Sequence, residues 1–225
     1  MSSSWRTDWL ATVVQGVPEL TTLCRHMLPT IHLDSVAALD SALLRSLGVS
    51  AVIWDVDGTL MRRHGTVVAP HLADAFERLC SDLSLRHAIL SNCSEQRFVE
   101  LAGIFPTIPI LRIYNDDFGF VVRRRLGDDE HWTDSGGNVR QHSTGHALRK
   151  PSVAMVRAAL NELGCASPAT ALMVGDQYLT DVAPASMLGV LTVKVRTVEP
   201  HSFPVTVRAL QSAERVLYRL SSPRG

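Results

Sequence analysis

The stretch AVIWDVDGTL, residues 51–60, joins a short apolar run to two aspartates that are separated by one residue. The unbroken apolar character of residues 51–54 predicts a strand buried on both faces, which is typical of a parallel sheet. Because alternate residues of a strand share a face, the carboxylates of Asp55 and Asp57 should project together from its carboxyl end. An acidic turn at Asp57 and Gly58 would explain the pair. A bound metal ion or phosphoryl group would explain it equally well.

Composition restricts the classes of protein that fit. The chain has 225 residues, enough for one domain with a modest insertion, and its 22 basic residues balance its 22 acidic ones. Because these charges cancel, the chain has no net positive charge that would attract nucleic acid, and no nucleic-acid partner is expected. The four cysteines contain no CxxC pair, which argues against a zinc site or a disulfide framework and favours a reducing cytoplasm. The first 20 residues resemble neither a signal peptide nor a transmembrane span.

Strand and helix patterns alternate from Val52 onward, which predicts a three-layer, doubly wound α/β fold with a parallel sheet. We expect an N-terminal helical segment (1–49) that packs on a core domain (50–225), with helical patterns at 5–27 and 36–47. Residues 105–149 interrupt the alternation and are interpreted as an insertion, a β-hairpin followed by a polar loop. The core prediction comprises strands at 51–55, 87–91, 169–176 and 191–195 and helices at 70–82, 94–102, 151–163 and 179–188.

Candidate functional groups follow the predicted strands and precede one predicted helix. Ser91 and Asn92 follow the second strand, and Asp176 and Asp181 follow a later one. Lys150 precedes Pro151, a favourable first residue of a helix. Only two of the 22 basic residues are lysines. A lysine at position 150 of such an arginine-rich chain indicates that this position requires a compact ammonium and not a planar guanidinium. Each feature alone has an ordinary explanation as a cap, a turn or a solvated side chain, but their combination favours a site at the carboxyl ends of the strands.

In these motifs the chain resembles the haloacid dehalogenase superfamily of phosphotransferases, over roughly residues 50–195. The first motif is DVDGT (55–59), the second is Ser91, the third is Lys150, and the fourth is the pair Asp176 and Asp181. The resemblance implies Mg²⁺-dependent phosphatase chemistry through an aspartyl-phosphate, with Asp55 as the nucleophile and Asp57 as the general acid and base. It also implies phosphoryl contacts from Ser91 and Lys150. The further residues that it implies are Gly58, Thr59 and Asn92 for substrate binding and Asp55, Asp57, Asp176 and Asp181 for the metal, with Asp57 contributing its backbone carbonyl.

The strings RKPS (149–152) and GDQYLTDV (175–182) are similar to those of the phosphatidylglycerophosphate phosphatase branch. Gly58 and Cys93 depart from that branch, which usually has asparagine at both positions. About thirty residues separate the first two motifs, too few for a large cap domain. An open site favours a lipid-borne phosphate. The amphipathic N-terminal stretch, with Trp5, Trp9 and Leu10, is expected to pack against the sheet, and peripheral membrane contact is the alternative role.

Three alternatives to a lipid phosphatase remain at the sequence level. The insertion could cover the site and restrict it to a small soluble sugar or nucleotide phosphate, with Arg123–Arg125 or His131 contacting the ester. The chain could instead be a receiver-like domain that is phosphorylated without hydrolysing esters. It could also be a non-catalytic phosphate-binding module, because fold alone does not establish activity. The sequence does not predict an oligomeric state.

Overall fold

A computed structural model describes residues 20–117 and 119–221, without the side chains of Leu20 and Ser221. It has a central sheet with strand order β1-β10-β9-β2-β3-β4-β5-β6-β7, in which β8 additionally pairs with β4. The strands are β1 (Ile31–His32), β2 (Ala51–Trp54), β3 (Arg86–Leu90), β4 (Ile110–Asp116), β5 (Gly119–Leu126), β6 (Asp129–Asp134), β7 (Val139–Arg140), β8 (His146–Ala147), β9 (Ala171–Gly175) and β10 (Leu191–Lys194).

Helices cover both faces of the parallel part of this sheet. Among the described residues the α-helices are α1 (Leu20–Arg25), α2 (Ser41–Ser46), α3 (Pro70–Cys80), α4 (Glu95–Ile104), α5 (Val153–Glu162), α6 (Ala183–Ser186) and α7 (Val205–Ser221). Strand β2 shows the layering directly: Val52 and Trp54 pack in one apolar cluster with α3 and α4, whereas Ala51 and Ile53 pack in another with α5. The predicted three-layer α/β fold is confirmed. No helix of the described residues is long and apolar enough to cross a membrane.

The segment before β2 differs in part from the predicted helical segment. Its residues Ile31 and His32 form β1, which pairs in parallel with β10 and extends the sheet. The helix predicted at 36–47 is interrupted, because Asp40 has extended backbone and its carboxylate accepts a hydrogen bond from the amide of Leu43, so that α2 begins at Ser41. Leu44 of α2 is fully buried in the core. Most of the helical pattern at 5–27, with Trp5 and Trp9, lies outside the described residues.

The β-hairpin predicted within residues 105–149 is confirmed as the antiparallel pair β4–β5, but the prediction was wrong in two other respects. Strand β4 belongs to the parallel core, since Ile110 and Leu111 pair in register with Ile89 and Leu90 of β3. The stretch predicted as a polar loop forms β6, β7 and β8, and β5–β7 continue the sheet in antiparallel order. Turn residues separate these strands, and exposure alternates along the first part of β6, so one side of it faces solvent. Strands of such polar composition are not predicted by a search for apolar runs. We use "insertion" below for residues 117–149.

The register of β4 determines where the insertion returns to the core. Strand β4 pairs with β3 only as far as Leu111, and beyond that point Tyr114 and Asn115 pair with β8. Strand β8 therefore lies on the β3 side of β4, past the carboxyl end of β3. The chain then runs from Ala147 through Leu148, whose amide donates to the carbonyl of Ile113, to Lys150. The insertion extends the sheet sideways, and its return to the core positions Lys150 at the carboxyl end of β3.

Candidate active site

Asp55 follows β2 at the centre of the parallel sheet. Its backbone amide donates to the carbonyl of Val174 at 2.9 Å, which ties the first motif to β9. The Asp55 side chain is buried; its Oδ2 accepts from the Thr59 hydroxyl at 3.1 Å, and its Oδ1 accepts from Lys150 Nζ at 2.5 Å. A carboxylate fixed through both oxygens in this way has a single orientation. Thr59, predicted as a substrate contact, here orients the predicted nucleophile.

Lys150 connects the first and fourth motifs. Its ammonium is 2.5 Å from Asp55 Oδ1 and 2.6 Å from Asp181 Oδ1, and the residue is only 2 % exposed. Burial by itself lowers the pKa of this ammonium, but the charges of Asp181 and Asp55 outweigh it and raise the pKa, so Lys150 is a fixed cation. Such a cation beside the predicted nucleophile can hold a phosphoryl oxygen.

The second motif supports Lys150 from the end of β3. The Asn92 side chain accepts from the Lys150 amide at 2.7 Å and donates to the Lys150 carbonyl at 3.0 Å. Both polar groups of the Asn92 amide therefore contact the backbone of Lys150, which gives Asn92 a positioning role, and its contact with substrate stays a prediction. Ser91 is also buried. Trp54 of β2 pairs with Ile89 of β3, so the two strands end at the same level and Ser91 lies at the same edge of the sheet as Asp55. A contact between Ser91 and a phosphoryl oxygen stays a prediction.

Close packing around the fourth motif requires two glycines, Gly58 where the first motif contacts it and Gly175 within it. A Cβ atom on Gly58, whose φ is +98°, would lie 2.8 Å from Asp176 Oδ2, and one on Gly175 would lie 2.4 Å from the Asp181 carboxyl carbon. Asp176 directly follows β9, and Asp181 lies in a turn of π-helix, Tyr178–Val182. The helix predicted at 179–188 is therefore composed of this turn and α6. The wider turn lets Asp181 Oδ2 accept from the amide of Gln177 at 3.0 Å.

Buried carboxylates outnumber the cations that face them. Asp55, Asp176 and Asp181 are buried, and one oxygen of each lies within 4.8 Å of the other two. Burial together with the charges of Asp55 and Asp181 raises the pKa of Asp176 to about 7. Burial likewise raises the pKa of Asp181 to about 6, although Lys150 opposes the shift. A side-chain hydrogen bond from Thr197 and the charge of Lys194 oppose the shift of the Asp176 pKa. Two ammonium groups, Lys150 and Lys194, therefore stand against three carboxylates, and the cluster keeps excess negative charge.

These donors fit a divalent cation. Asp176 Oδ1 is buried and has no hydrogen-bond partner, whereas its Oδ2 accepts from Gln211 Nε2 at 3.4 Å. An orphaned carboxylate oxygen among other hard oxygen donors is the environment that Mg²⁺ prefers. Asp55 and Asp176 are the carboxylates that would hold it, with Asp181 supporting Lys150. The Asp57 carboxylate lies outside this cluster, and the predicted contribution of its backbone carbonyl stays a prediction.

Asp57 contacts residues that the sequence reasoning did not identify. Its Oδ1 accepts from the guanidinium of Arg97 at 2.9 Å and from the backbone amide of His64 at 3.2 Å. His64 belongs to a short flap, residues 61–69, that follows the first motif. Arg97 lies on the buried side of α4 and is 2 % exposed. The sequence contained a signal, because Arg97 shares a helix face with the buried residues Phe98 and Leu101.

The C-terminal helix α7 also supports the site. Besides Gln211, it contributes Glu214, whose carboxylate accepts hydrogen bonds from the backbone amides of Tyr178 and Leu179 at the start of the π-helical turn. Glu214 is 3 % exposed, and burial raises its pKa to about 8. No sequence motif linked this helix to the fourth motif, since the contact spans 36 residues along the chain.

The three consecutive arginines of β5 are ion-paired. Arg123 bonds to Glu95 and Glu130, Arg124 to Glu162 at 2.7 Å, and Arg125 to Glu130 at 3.1 Å. The Arg123 guanidinium also lies over the rings of Phe98 and Trp132, 4.7 Å and 5.0 Å from their centroids. These contacts give the three arginines a structural role.

Comparisons with known proteins agree with the motifs over part of the chain. A family model described as "HAD-hyrolase-like" matches residues 147–200, which include Lys150, Asp176 and Asp181. This match supports a phosphatase-type hydrolase of the haloacid dehalogenase superfamily, although it spans less than half of the chain. No curated protein matches. A solved structure, an uncharacterized protein from Listeria monocytogenes serotype 4b, aligns with 76% of this chain and 99% of its own at 17% identity and a TM-score of 0.42.

Proposed function

We propose that this chain is a magnesium-dependent phosphomonoester hydrolase that acts through an aspartyl-phosphate on Asp55. One observation carries the proposal: Asp176 Oδ1 is buried without a partner in a cluster whose other carboxylates, Asp55 and Asp181, are bridged by the Lys150 ammonium. A site for a divalent cation thus adjoins a nucleophile and a fixed positive charge. Phosphoryl transfer depends chiefly on this kind of positioning and charge stabilisation.

The residues divide the reaction into two displacements. Asp55 attacks phosphorus, the bond to the ester oxygen breaks, and Asp57 donates a proton to the departing oxygen. Asp57 then takes a proton from a water molecule that attacks the aspartyl-phosphate, which frees phosphate and restores Asp55. Lys150 and Ser91 hold phosphoryl oxygens through both steps. Bound magnesium would supply positive charge opposite the phosphoryl oxygens.

Hydrolysis of p-nitrophenyl phosphate by the wild-type protein tests this proposal. We expect turnover with Mg²⁺ and loss of turnover with excess EDTA, restored by added Mg²⁺. A protein that becomes phosphorylated by a small phosphodonor without turnover would instead be receiver-like. One that binds phosphate without either reaction would be a non-catalytic module.

We further propose that the substrate phosphate is carried on a membrane lipid such as phosphatidylglycerophosphate. Between the first two motifs the structure has the flap, α3 and β3, and the insertion runs sideways along the sheet. The arginines that a soluble-substrate lid would need are paired with glutamates instead. These features support a site that admits a large substrate.

Helix α7 gives independent support for membrane contact. Its polar residues Gln211 and Glu214 face the site, whereas Val205, Val216 and Leu220 are exposed by 70 %, 53 % and 75 %. Arginines 208, 215 and 219 lie on the same helix. An exposed apolar stripe flanked by arginines is typical of helices that lie at anionic membrane surfaces.

Two substrates and two double variants test the lipid assignment. We expect hydrolysis of phosphatidylglycerophosphate in anionic vesicles to fall in Val216→Ser/Leu220→Ser, while hydrolysis of p-nitrophenyl phosphate stays unchanged. Leu83→Ser/Val139→Ser is the matched control, since these residues are 99 % and 83 % exposed elsewhere on the molecule. If the wild type hydrolyses soluble esters and leaves lipid phosphate intact, the lipid assignment is wrong and the phosphatase assignment stands.

A further inference from the structure

Arg97 connects three parts of the site. Its buried guanidinium donates to Asp57 Oδ1 at 2.9 Å, to the carbonyl of Gly65 in the flap at 2.8 Å, and to Glu100 at 2.8 Å. It also lies 3.3 Å from the sulfur of Met61, at the start of the flap. A planar guanidinium can satisfy several acceptors at fixed angles, which an ammonium cannot do in the same geometry. Arg97 therefore holds α4, the flap and Asp57 in one arrangement.

The contacts of Asp57 differ between its two oxygens. Oδ1 accepts from Arg97 and from the amide of His64, and both partners are donors that cannot accept a proton in return. A proton on Oδ1 would face these two N–H groups. The proton that Asp57 transfers therefore belongs on Oδ2.

We infer that Arg97 is a positioning residue for general acid catalysis, because it fixes Oδ1 of Asp57 so that Oδ2 carries the transferable proton toward the leaving oxygen. This inference rests on the proposed phosphatase function. Arg97 does not touch the substrate and acts through Asp57 and the flap. Without it, Asp57 Oδ1 keeps only the His64 amide as a donor and is held less firmly, and the carbonyl of Gly65 loses its buried donor.

The flap makes this role specific to the site. The amide of His64 links the flap to Asp57 directly, and the Arg63 amide donates to the Ser202 hydroxyl at 3.0 Å. Arg97 adds a side-chain contact that reaches both the flap carbonyl of Gly65 and Asp57 Oδ1. His64, which supplies the second donor to Oδ1, has a φ of +54°. A non-glycine residue in this backbone region is uncommon and needs fixed surroundings. Movement of the flap would shift both donors to Oδ1 together.

Leaving-group dependence distinguishes this role from a structural one. p-Nitrophenolate departs without a proton, whereas an alkoxide needs one, and kcat/KM reports the step in which the leaving group departs. We expect Arg97→Met to lower kcat/KM for an alkyl phosphate by on the order of 10²-fold and for p-nitrophenyl phosphate by less than about tenfold. In an Asp57→Asn background the same substitution should cause little further loss for either substrate.

Two further variants complete the design. Glu100→Gln removes the other ion pair of Arg97 and keeps the contact with Asp57, so it should leave the ratio of the two kcat/KM values unchanged. Arg97→Lys keeps a charge in the same place, so it provides a folded variant if Arg97→Met does not fold, and it should lower the alkyl phosphate rate more than the aryl one.

Two results together would overturn the role of Arg97 while leaving the phosphatase function intact. The first is that Arg97→Lys and Arg97→Met lower kcat/KM equally for the alkyl and the aryl substrate. The second is that their effects add to that of Asp57→Asn. An inactive wild type on both substrates would overturn the proposed function and this inference with it.

Discussion

Two regions of the sheet are rich in buried or half-buried charge, and they balance it differently. In strands β5 and β6 the arginines pair with glutamates: Arg124 contacts Glu162, and Arg125 contacts Glu130. At the carboxyl ends of β2 and β9 three buried carboxylates lie together; the Lys150 ammonium contacts two of them, and Oδ1 of the third, Asp176, has no partner. In the first region every arginine of β5 is ion-paired, even though the Nε of Arg123 has no hydrogen-bond partner, whereas the second region keeps excess negative charge.

This difference separates a structural role from a functional one. A paired charge in a half-exposed position contributes little beyond holding the strands in register. An uncompensated buried carboxylate costs stability in the isolated protein, and a fold retains it where a ligand supplies the missing charge. Substitutions at the catalytic edge should therefore change activity far more than stability, and substitutions in the insertion should not change activity.

The largest effect is expected for Asp55→Asn. A neutral amide is a poor nucleophile and nearly isosteric with the carboxylate, so kcat should fall by more than about 10³-fold while the protein stays folded. Steady-state hydrolysis of p-nitrophenyl phosphate measures the loss, and circular dichroism checks the fold. Hydrolysis at the wild-type rate would rule out Asp55 as the nucleophile.

Lys150→Arg should have the next largest effect. The ammonium lies within 2.6 Å of both Asp55 and Asp181, and a broader guanidinium cannot take the same position between them. We expect kcat/KM to fall by about 10²-fold, the typical loss of one electrostatic contact to the transition state. Full activity in this variant would show that position 150 needs only positive charge.

Glu214→Gln should change the pH dependence of stability. Burial raises the folded-state pKa of Glu214 from its ordinary value of 4.5 to about 8. The stability that its proton contributes is therefore complete below pH 4.5 and is lost as pH rises through 8. A glutamine has no such proton to lose. Urea unfolding of the metal-free proteins between pH 5 and 8 measures this difference. The unfolding free energy of the wild type should fall with rising pH more steeply than that of Glu214→Gln, by up to about 1.4 kcal/mol per pH unit. Identical slopes would contradict the buried, protonated state of Glu214.

The smallest effect is expected in the insertion. Arg124→Met removes a pair whose side chains are 28% and 23% exposed, so the unfolding free energy should change by about 1 kcal/mol or less. The value of kcat/KM should stay within about twofold of the wild type, because the activation free energy should change by less than about 0.5 kcal/mol. A loss of activity much larger than this would show that the insertion takes part in the reaction and would break the comparison between the two regions.

The sequence predicted the parallel sheet and the motifs because both depend on local patterns. Apolar strands that end in Asp55, Ser91 and Asp176 place those residues at one edge of any sheet with right-handed crossovers. The ammonium of Lys150 could be assigned to that edge from its position before a helix. These inferences needed no knowledge of long-range contacts.

The parts that were missed depend on such contacts. Arg97 reaches Asp57 across 40 residues of sequence, and Glu214 reaches Tyr178 across 36. Strands β6–β8 are short and polar, and β8 exists because β4 continues past the end of β3. Replacing residues 116–146 by a flexible linker would therefore remove β8 and displace Lys150, so single substitutions such as Arg124→Met test the insertion better.

Magnesium binding tests the central claim most directly, because it reports the uncompensated charge without depending on a substrate. Isothermal titration calorimetry of the wild type should show one Mg²⁺ site, and Asp176→Asn, which replaces the orphaned oxygen donor, should abolish it while Arg124→Met keeps it. Absence of Mg²⁺ binding in the wild type, or unchanged binding in Asp176→Asn, would contradict the assignment of the buried carboxylates to a metal-dependent phosphatase site.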